Sequence, residues 1–279
     1  MAFEIIENQL IGKTGNLQLC EDQVVVTNHF AAVIDGASSK TEVTYREKST
    51  GRFAADLLKN AIQRLPEEAT FEQACDFLTY SFAKYYHKEN IYDYLEKTPI
   101  ERATASVAIY SDYQQEIWLI GDCQCLVGKK RHNRQKRADQ VIANVRSLYL
   151  KLLLQNDEFT ITSLQSYDLS RDYIIPLLKT QIRYQNSTCN HPFRYSVVDG
   201  YPIIDVNTAI ISLGENTKPI VLATDGYPKL FTTLAKSEQH LQQILENDPL
   251  CYQEFQSTKG LYQGNLSFDD RAYLKIQPK

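Results

Sequence analysis

Four aspartates stand at the ends of apolar runs, and this placement constrains the fold more than any other feature of the chain. Ala31-Ala-Val-Ile34 runs into Asp35-Gly36, Trp118-Leu-Ile120 into Gly121-Asp122, and Pro219-Ile-Val-Leu-Ala-Thr224 into Asp225-Gly226, while Asp269-Asp270 precedes Ala272-Tyr-Leu-Lys-Ile276. Short apolar runs bounded by turn residues read as buried strands. A carboxylate at a strand end is carried to the rim of a sheet. Several on one rim form a cluster of negative oxygens that is costly unless cations neutralise it. The pattern therefore predicts a site for a hard metal ion.

The chain has 279 residues, 43% of them hydrophobic, and a formal net charge of −4. That supplies a core and argues against nucleic acid as the main partner. With 11 glycines and 9 prolines, no long disordered linker is expected. The six cysteines form no Cys-x-x-Cys pair, so zinc is not expected and free, structural thiols are. No apolar run reaches the length of a membrane span, and the start of the chain lacks a basic segment followed by an apolar one. The expectation is a cytoplasmic, monomeric protein with no membrane partner.

Val24–Thr27 and Phe30–Ile34 read as strands joined at Asn28-His29. A helix is predicted over about 50–65, with Phe53, Leu57, Leu58, Ile62 and Leu65 on one face. Thr70 and Gln73 form a capping box for a second helix. Strands follow at Ala105–Tyr110 and at Glu116–Ile120, the latter continuing into Cys125–Val127. Val141, Val145, Leu148 and Leu152 mark a third helix. Phe193–Val198 and Tyr201–Ile204 read as a hairpin turned at Asp199-Gly200. A strand before Asp225, a helix about 237–245 and a strand at Ala272–Ile276 complete the pattern, and residues 155–192 stay unassigned. Hairpin-linked strands with grouped helices imply antiparallel sheets covered by helices, an α+β domain spanning residues 1–279. Because neighbouring antiparallel strands place ends beside starts, Asp35, Asp225 and Asp269 are expected on one rim.

Asp-Gly alone is a common turn signal, but Asp35-Gly36 and Asp225-Gly226 are followed by polar loops and then helices rather than by return strands. Glu21-Asp22, just before the first hairpin, is brought to the same rim by it. Gly12-Lys13-Thr14 is not a phosphate loop, because the glycine required five residues earlier is Glu7. The basic run Lys129–Arg137 lacks interleaved aromatics and reads as a solvated segment.

In order along the chain, Glu21-Asp22, Asp35-Gly36, Thr104-Ala-Ser106 with Gly121-Asp122, Ala223-Thr-Asp225-Gly226 and Asp269-Asp270 resemble the motif series of the protein phosphatase 2C family, the metal-dependent serine/threonine phosphatases. The resemblance implies a four-layer α-β-β-α sandwich of two antiparallel sheets, with a variable, flap-like region over about 128–200. It implies a phosphoprotein substrate and hydrolysis by a water between two Mg²⁺ or Mn²⁺ ions, with a third ion in some bacterial members. Asp35 would bridge the two metals, with the Gly36 carbonyl a ligand. Asp225 and Asp269 would complete one ion's protein ligands, Glu21 and Asp22 would hold the other, and Asp122 would match the third-metal aspartate. Retained waters and all-oxygen ligands suit these hard cations. Two positions depart from the family. Ala37 stands where a histidine usually protonates the leaving group, and Leu17 where an arginine usually binds phosphate. Lys13 and Lys40 are the nearest cations available for substrate phosphate. The alternative these departures raise is a catalytically weak or inactive binding or sensing module on the same fold.

Overall fold

The computed structural model describes residues 3–214 and 218–279. Twelve strands and seven α-helices make an α+β fold: β1 (Phe3–Ile11), β2 (Asp22–Val26), β3 (Phe30–Gly36), β4 (Thr44–Tyr45), β5 (Lys48–Ser49), α1 (Thr50–Ile62), α2 (Phe71–Lys88), α3 (Tyr92–Lys97), β6 (Ala105–Ser111), β7 (Glu116–Ile120), β8 (Gln124–Val127), β9 (Lys130–His132), α4 (Arg137–Leu153), α5 (Ile161–Ser166), α6 (Leu169–Thr180), β10 (Thr208–Ser212), β11 (Ile220–Ala223), α7 (Leu234–Asn247) and β12 (Arg271–Pro278). Two five-stranded antiparallel sheets dominate, in the orders β1-β12-β11-β8-β9 and β10-β7-β6-β3-β2.

The strands of the sheet centres are apolar on both faces because both faces are covered. In β3, Ala31 and Val33 enter the core between the sheets with Ala108, Tyr110, Ile117, Leu119, Ile220, Leu222, Ala272 and Leu274. The intervening Ala32 and Ile34 face α1 and α2, packing with Leu58, Ile62, Leu78, Phe82 and Trp118. On the outer face of the other sheet, Val221, Ala223 and Tyr273 pack with Tyr227 and Leu234 at the start of α7. The layers are thus helix, sheet, sheet, helix. The capping box starting α2 forms as expected, with the Thr70 hydroxyl accepting from the Gln73 backbone and the Gln73 side chain accepting from the Thr70 N–H. No helix among the described residues is long and apolar enough to cross a membrane.

Several expectations are corrected. β7 does not continue into residues 125–127. Gly121, at φ +86°, turns the chain out of one sheet, and β8 belongs to the other. A side chain at 121 would also meet the Ser106 hydroxyl at 2.2 Å, so glycine serves both the turn and the close approach. Consequently Asp35 lies in one sheet while Asp225 and Asp269 flank adjacent strands of the other, and the rim they share is that of the sandwich rather than of a single sheet. Residues 193–204 form isolated bridges instead of a hairpin, because the Asp199 carboxylate is fully buried and accepts from Arg102 (3.0 Å), Gln185 (2.7 Å) and Asn186 (2.8 Å). The third helix forms as α4, with Val141, Leu148 and Leu152 exposed, Val145 packed against Ile142, Ile174 and Leu178, and Arg146 and Leu150 buried. Strands β1 and β10 and helices α5 and α6 were not anticipated. β1 carries a register shift between Ile5 and Glu7, which breaks the alternation that marks a strand.

Candidate metal centre

The register that seals the core also assembles the carboxylates. Asp22 at the start of β2 pairs directly with Asp35 near the end of β3, and Asp35 pairs with Ser106 in β6. Asp122 occupies the passage between the sheets, where its carboxylate accepts from the Ser106 hydroxyl at 2.5 Å. Asp225 follows β11 and Asp269 precedes β12, strands joined just above them by the Thr224 N–H donating to the Ala272 carbonyl (3.1 Å) and the Ala272 N–H donating to the Thr224 hydroxyl (2.9 Å). The glycines after Asp35 and Asp225 are needed for close packing. A β-carbon at Gly36 would lie 2.2 Å from the Gly51 carbonyl, and one at Gly226 would lie 2.1 Å from the Asp270 carbonyl.

Asp35, Gly36, Asp122, Asp225 and Asp269 line one cleft of about 140 Å³, with Asp22 buried behind Asp35. The crowding is visible in their protonation. Burial, and then the Asp225 and Asp22 carboxylates, hold Asp35 well above the usual carboxylate range. Burial and Asp269 do the same to Asp22, whose Oδ2 has no hydrogen-bond partner. Desolvation and then the Asp269 and Asp122 carboxylates push Asp225 up to about 7 against the opposing pull of Lys259 and Lys136, although the residue is exposed at the cleft.

Not every expected ligand is equally free. Glu21 is spoken for: it accepts from the hydroxyls of Ser38 and Ser49 and from Lys13 at 3.3 Å. It thereby ties the 37–40 loop to the start of α1. Lys13 bridges Glu21 and Asp270, each at 3.3 Å, while its backbone N–H donates to Asp270 at 2.7 Å. Burial opposes its charge, but Asp269, Glu21 and Asp270 outweigh it and raise the Lys13 pKa. Lys13 is not among the residues lining the cleft, whereas Lys40 is.

The cleft also holds cations that sequence reasoning did not single out: Lys136, Arg171 and Lys259. Lys136 contacts Asp122 at 2.8 Å and stands 5.3 Å from the centre of the Tyr195 ring. Burial alone would lift the Asp122 carboxyl, yet Lys136 and the Ser106 hydroxyl hold it below its ordinary value. Lys259 contacts Asp269. No local pattern marks these residues. Lys136 is one of several cations in a basic run, Arg171 lies in the unassigned middle region, and Lys259 sits in a short polar loop.

Among the described residues no three His, Cys, Asp or Glu side chains form a ready cage for an ion, since lysines are interleaved with the carboxylates. The donor set nevertheless fits a hard divalent cation. It is all oxygen, and it includes a buried carboxylate oxygen without a partner and three carboxyls whose mutual repulsion a cation would relieve.

No family profile and no curated protein matches the chain. Among solved structures it is similar to the Mycobacterium tuberculosis serine/threonine phosphatase PstP/Ppp, at 11% identity over 100% of both chains and a TM-score of 0.48. It is also similar to the S. agalactiae serine/threonine phosphatase (11% identity, 99% of this chain and 100% of that one, TM-score 0.47) and to RsbX in complex with magnesium (9% identity, 99% and 100%, TM-score 0.44).

Proposed function

We propose that the chain is a phosphoprotein phosphatase that hydrolyses phosphoserine and phosphothreonine esters with Mg²⁺ or Mn²⁺ held by Asp22, Asp35, Asp225, Asp269 and the Gly36 carbonyl. One observation carries the reading: Asp35, Asp122, Asp225 and Asp269, from four separate places in the chain, bring negative charge to a single cleft with Asp22 paired to Asp35, and burial together with neighbouring carboxylates raises Asp22, Asp35 and Asp225. Bound there, hard cations neutralise that charge, acidify a water and stabilise displacement at phosphorus.

The chain's own residues have distinct parts. Asp35 is central, facing Asp22 across the ladder and Asp225 across the cleft. Glu21 fixes the loop that carries Gly36 and Lys40 through Ser38 and Ser49. Asp122, held by Ser106 and Lys136, anchors the 128–200 region, which acts as a flap on a single domain. No histidine lines the cleft among the described residues, so leaving-group protonation falls to a lysine or to water. Loss of a general acid costs about 10²–10⁴ in rate, and turnover of poor leaving groups should be slow.

A second reading, a metal-free binding module, draws on Lys136 and Lys259, which already occupy Asp122 and Asp269. It leaves Asp22, Asp35 and Asp225 with raised carboxyls and, among the described residues, no ion pair, and the catalytic reading is preferred for that reason. The test is phosphate release from a phosphothreonine peptide with Mn²⁺. Wild type should turn over and lose activity on chelation, and Asp35→Asn should be reduced at least about 100-fold, as expected for a group supporting the transition state. Wild-type release no faster than that of Asp35→Asn would rule the enzyme out.

A further inference from the structure

Six cations lie in or beside the cleft, and they fall into two groups. Lys13, Arg102, Lys136 and Lys259 each contact a carboxylate: Glu21 and Asp270, Asp199, Asp122 and Asp269 respectively. Lys40 and Arg171 do not. The Lys40 ammonium donates to the Ser38 carbonyl at 3.0 Å, and the Arg171 guanidinium donates through Nη1 to the Thr258 carbonyl at 2.6 Å. Both line the same cleft as Asp35 and Asp225.

We infer that Lys40 and Arg171 form an anion-binding pair that receives the phosphate group of the substrate, with Arg171 as the residue that orients it. The naming of a phosphomonoester rests on the phosphatase reading, while the anion site rests on the arrangement of charges. Two like charges line one cleft, each bonded to a carbonyl and neither in contact with a carboxylate. After burial, Arg171 is the largest influence disfavouring the Lys40 charge, with Lys136 and Lys259 acting in the same sense and Asp139 opposing them, and the Lys40 pKa falls to about 8. A dianion between the two groups reverses that penalty.

Arg171 is also held ready. Its backbone N–H donates to the Asp168 carboxylate at 3.0 Å in the first turn of α6, and Asp168 is locked to the buried Arg146 at 2.6 Å. The single bond to the Thr258 carbonyl fixes the plane of the guanidinium. Its remaining N–H groups are available for the two-pronged contact that suits phosphate better than an ammonium does. Leu17, at the position of the family's usual phosphate-binding arginine, is exposed and does not line the cleft. The cation is delivered from α6 instead, so the middle region takes part in substrate binding.

The test is isothermal titration of the Mg²⁺-loaded full chain with inorganic phosphate. Arg171→Met keeps the aliphatic stem, Arg171→Lys keeps the charge, and Lys151→Ala on the exposed side of α4 is the control. Loss of a charge-assisted hydrogen bond should raise the Kd at least about tenfold in Arg171→Met and in Lys40→Ala. Arg171→Lys should fall between, and the control should match wild type. Wild type that binds no phosphate at millimolar concentration, or Arg171→Met and Arg171→Lys both within twofold of wild type, would overturn the inference. Phosphate affinity that depends on Arg171 in a chain without hydrolytic activity would leave the anion pair in place and remove only the catalytic reading.

Discussion

At the scale of single residues, the site is a balance between carboxylates brought together by strand register and the cations placed among them. Asp22, Asp35 and Asp225 all have carboxyls raised by desolvation and then by neighbouring carboxylates, Asp269 foremost for Asp22 and Asp225 and Asp225 foremost for Asp35. A group whose folded pKa is raised contributes stability that is fully present below its unfolded pKa, about 3.9, and is lost as pH rises through the folded value. The metal-free protein should therefore lose stability from about pH 4 upward, with the Asp225 share gone a little above pH 7. Asp35→Asn removes one contributor. Metal-free Asp35→Asn should melt above metal-free wild type at pH 7.5, by about 2–4 °C for each kcal/mol relieved. The difference should shrink towards pH 4, and a lower melting point for the variant at pH 7.5 would show that Asp35 is not under repulsion. Sequence reasoning identified Asp35 and Asp225 because they end apolar runs, and Asp22 because it stands in an acidic pair just before the first hairpin. It did not foresee that Glu21 and Lys13 are already engaged by other side chains, since Ser38, Ser49 and Asp270 come from distant segments.

At the scale of elements, the central strands were legible because both faces of each are buried, which gives uninterrupted apolar runs. The edge strands were not: β10 is half exposed along its length, and β1 carries the register shift. Helix α4 was legible as a helix, but the way it packs was not. Its most apolar stripe faces outward, and its inner face is organised by Arg146, which is fully buried, contacts Asp168 at 2.6 Å and donates to the carbonyls of Leu250 (2.9 Å) and Ser257 (3.0 Å). A buried arginine on a helix face reads in sequence as a polar position. This contact joins the start of α6, and with it Arg171, to the 250–258 segment beside Lys259. Removing one member of such a buried pair costs about 3–5 kcal/mol. Arg146→Met is therefore expected to lower the melting temperature and to speed amide exchange across α6, while exchange in β3 and β6 stays at wild-type rates. Uniform acceleration throughout the chain would show that the middle region is not a separate unit of stability.

At the scale of the whole molecule, two antiparallel sheets meet so that strand ends from both reach one edge of the sandwich, and the cleft lies there. One sheet supplies Asp22 and Asp35, the other Asp225 and Asp269, and the passage between them supplies Asp122. Helix α6 and the 257–259 loop close the remaining side with Arg171, Thr258 and Lys259. The acidic half of the cleft could be read from sequence because strand-end residues keep a simple relation to topology. The cationic half could not, because it depends on how irregular segments fold back. The central claim is that this edge holds divalent ions, and a Mn²⁺-soaked crystal measured for anomalous scattering tests it most directly. The account predicts manganese peaks in contact with the Asp35 and Asp225 carboxylates, with the Lys259 ammonium displaced from Asp269. A map without anomalous density at those carboxylates, and with Lys259 still on Asp269, would contradict it.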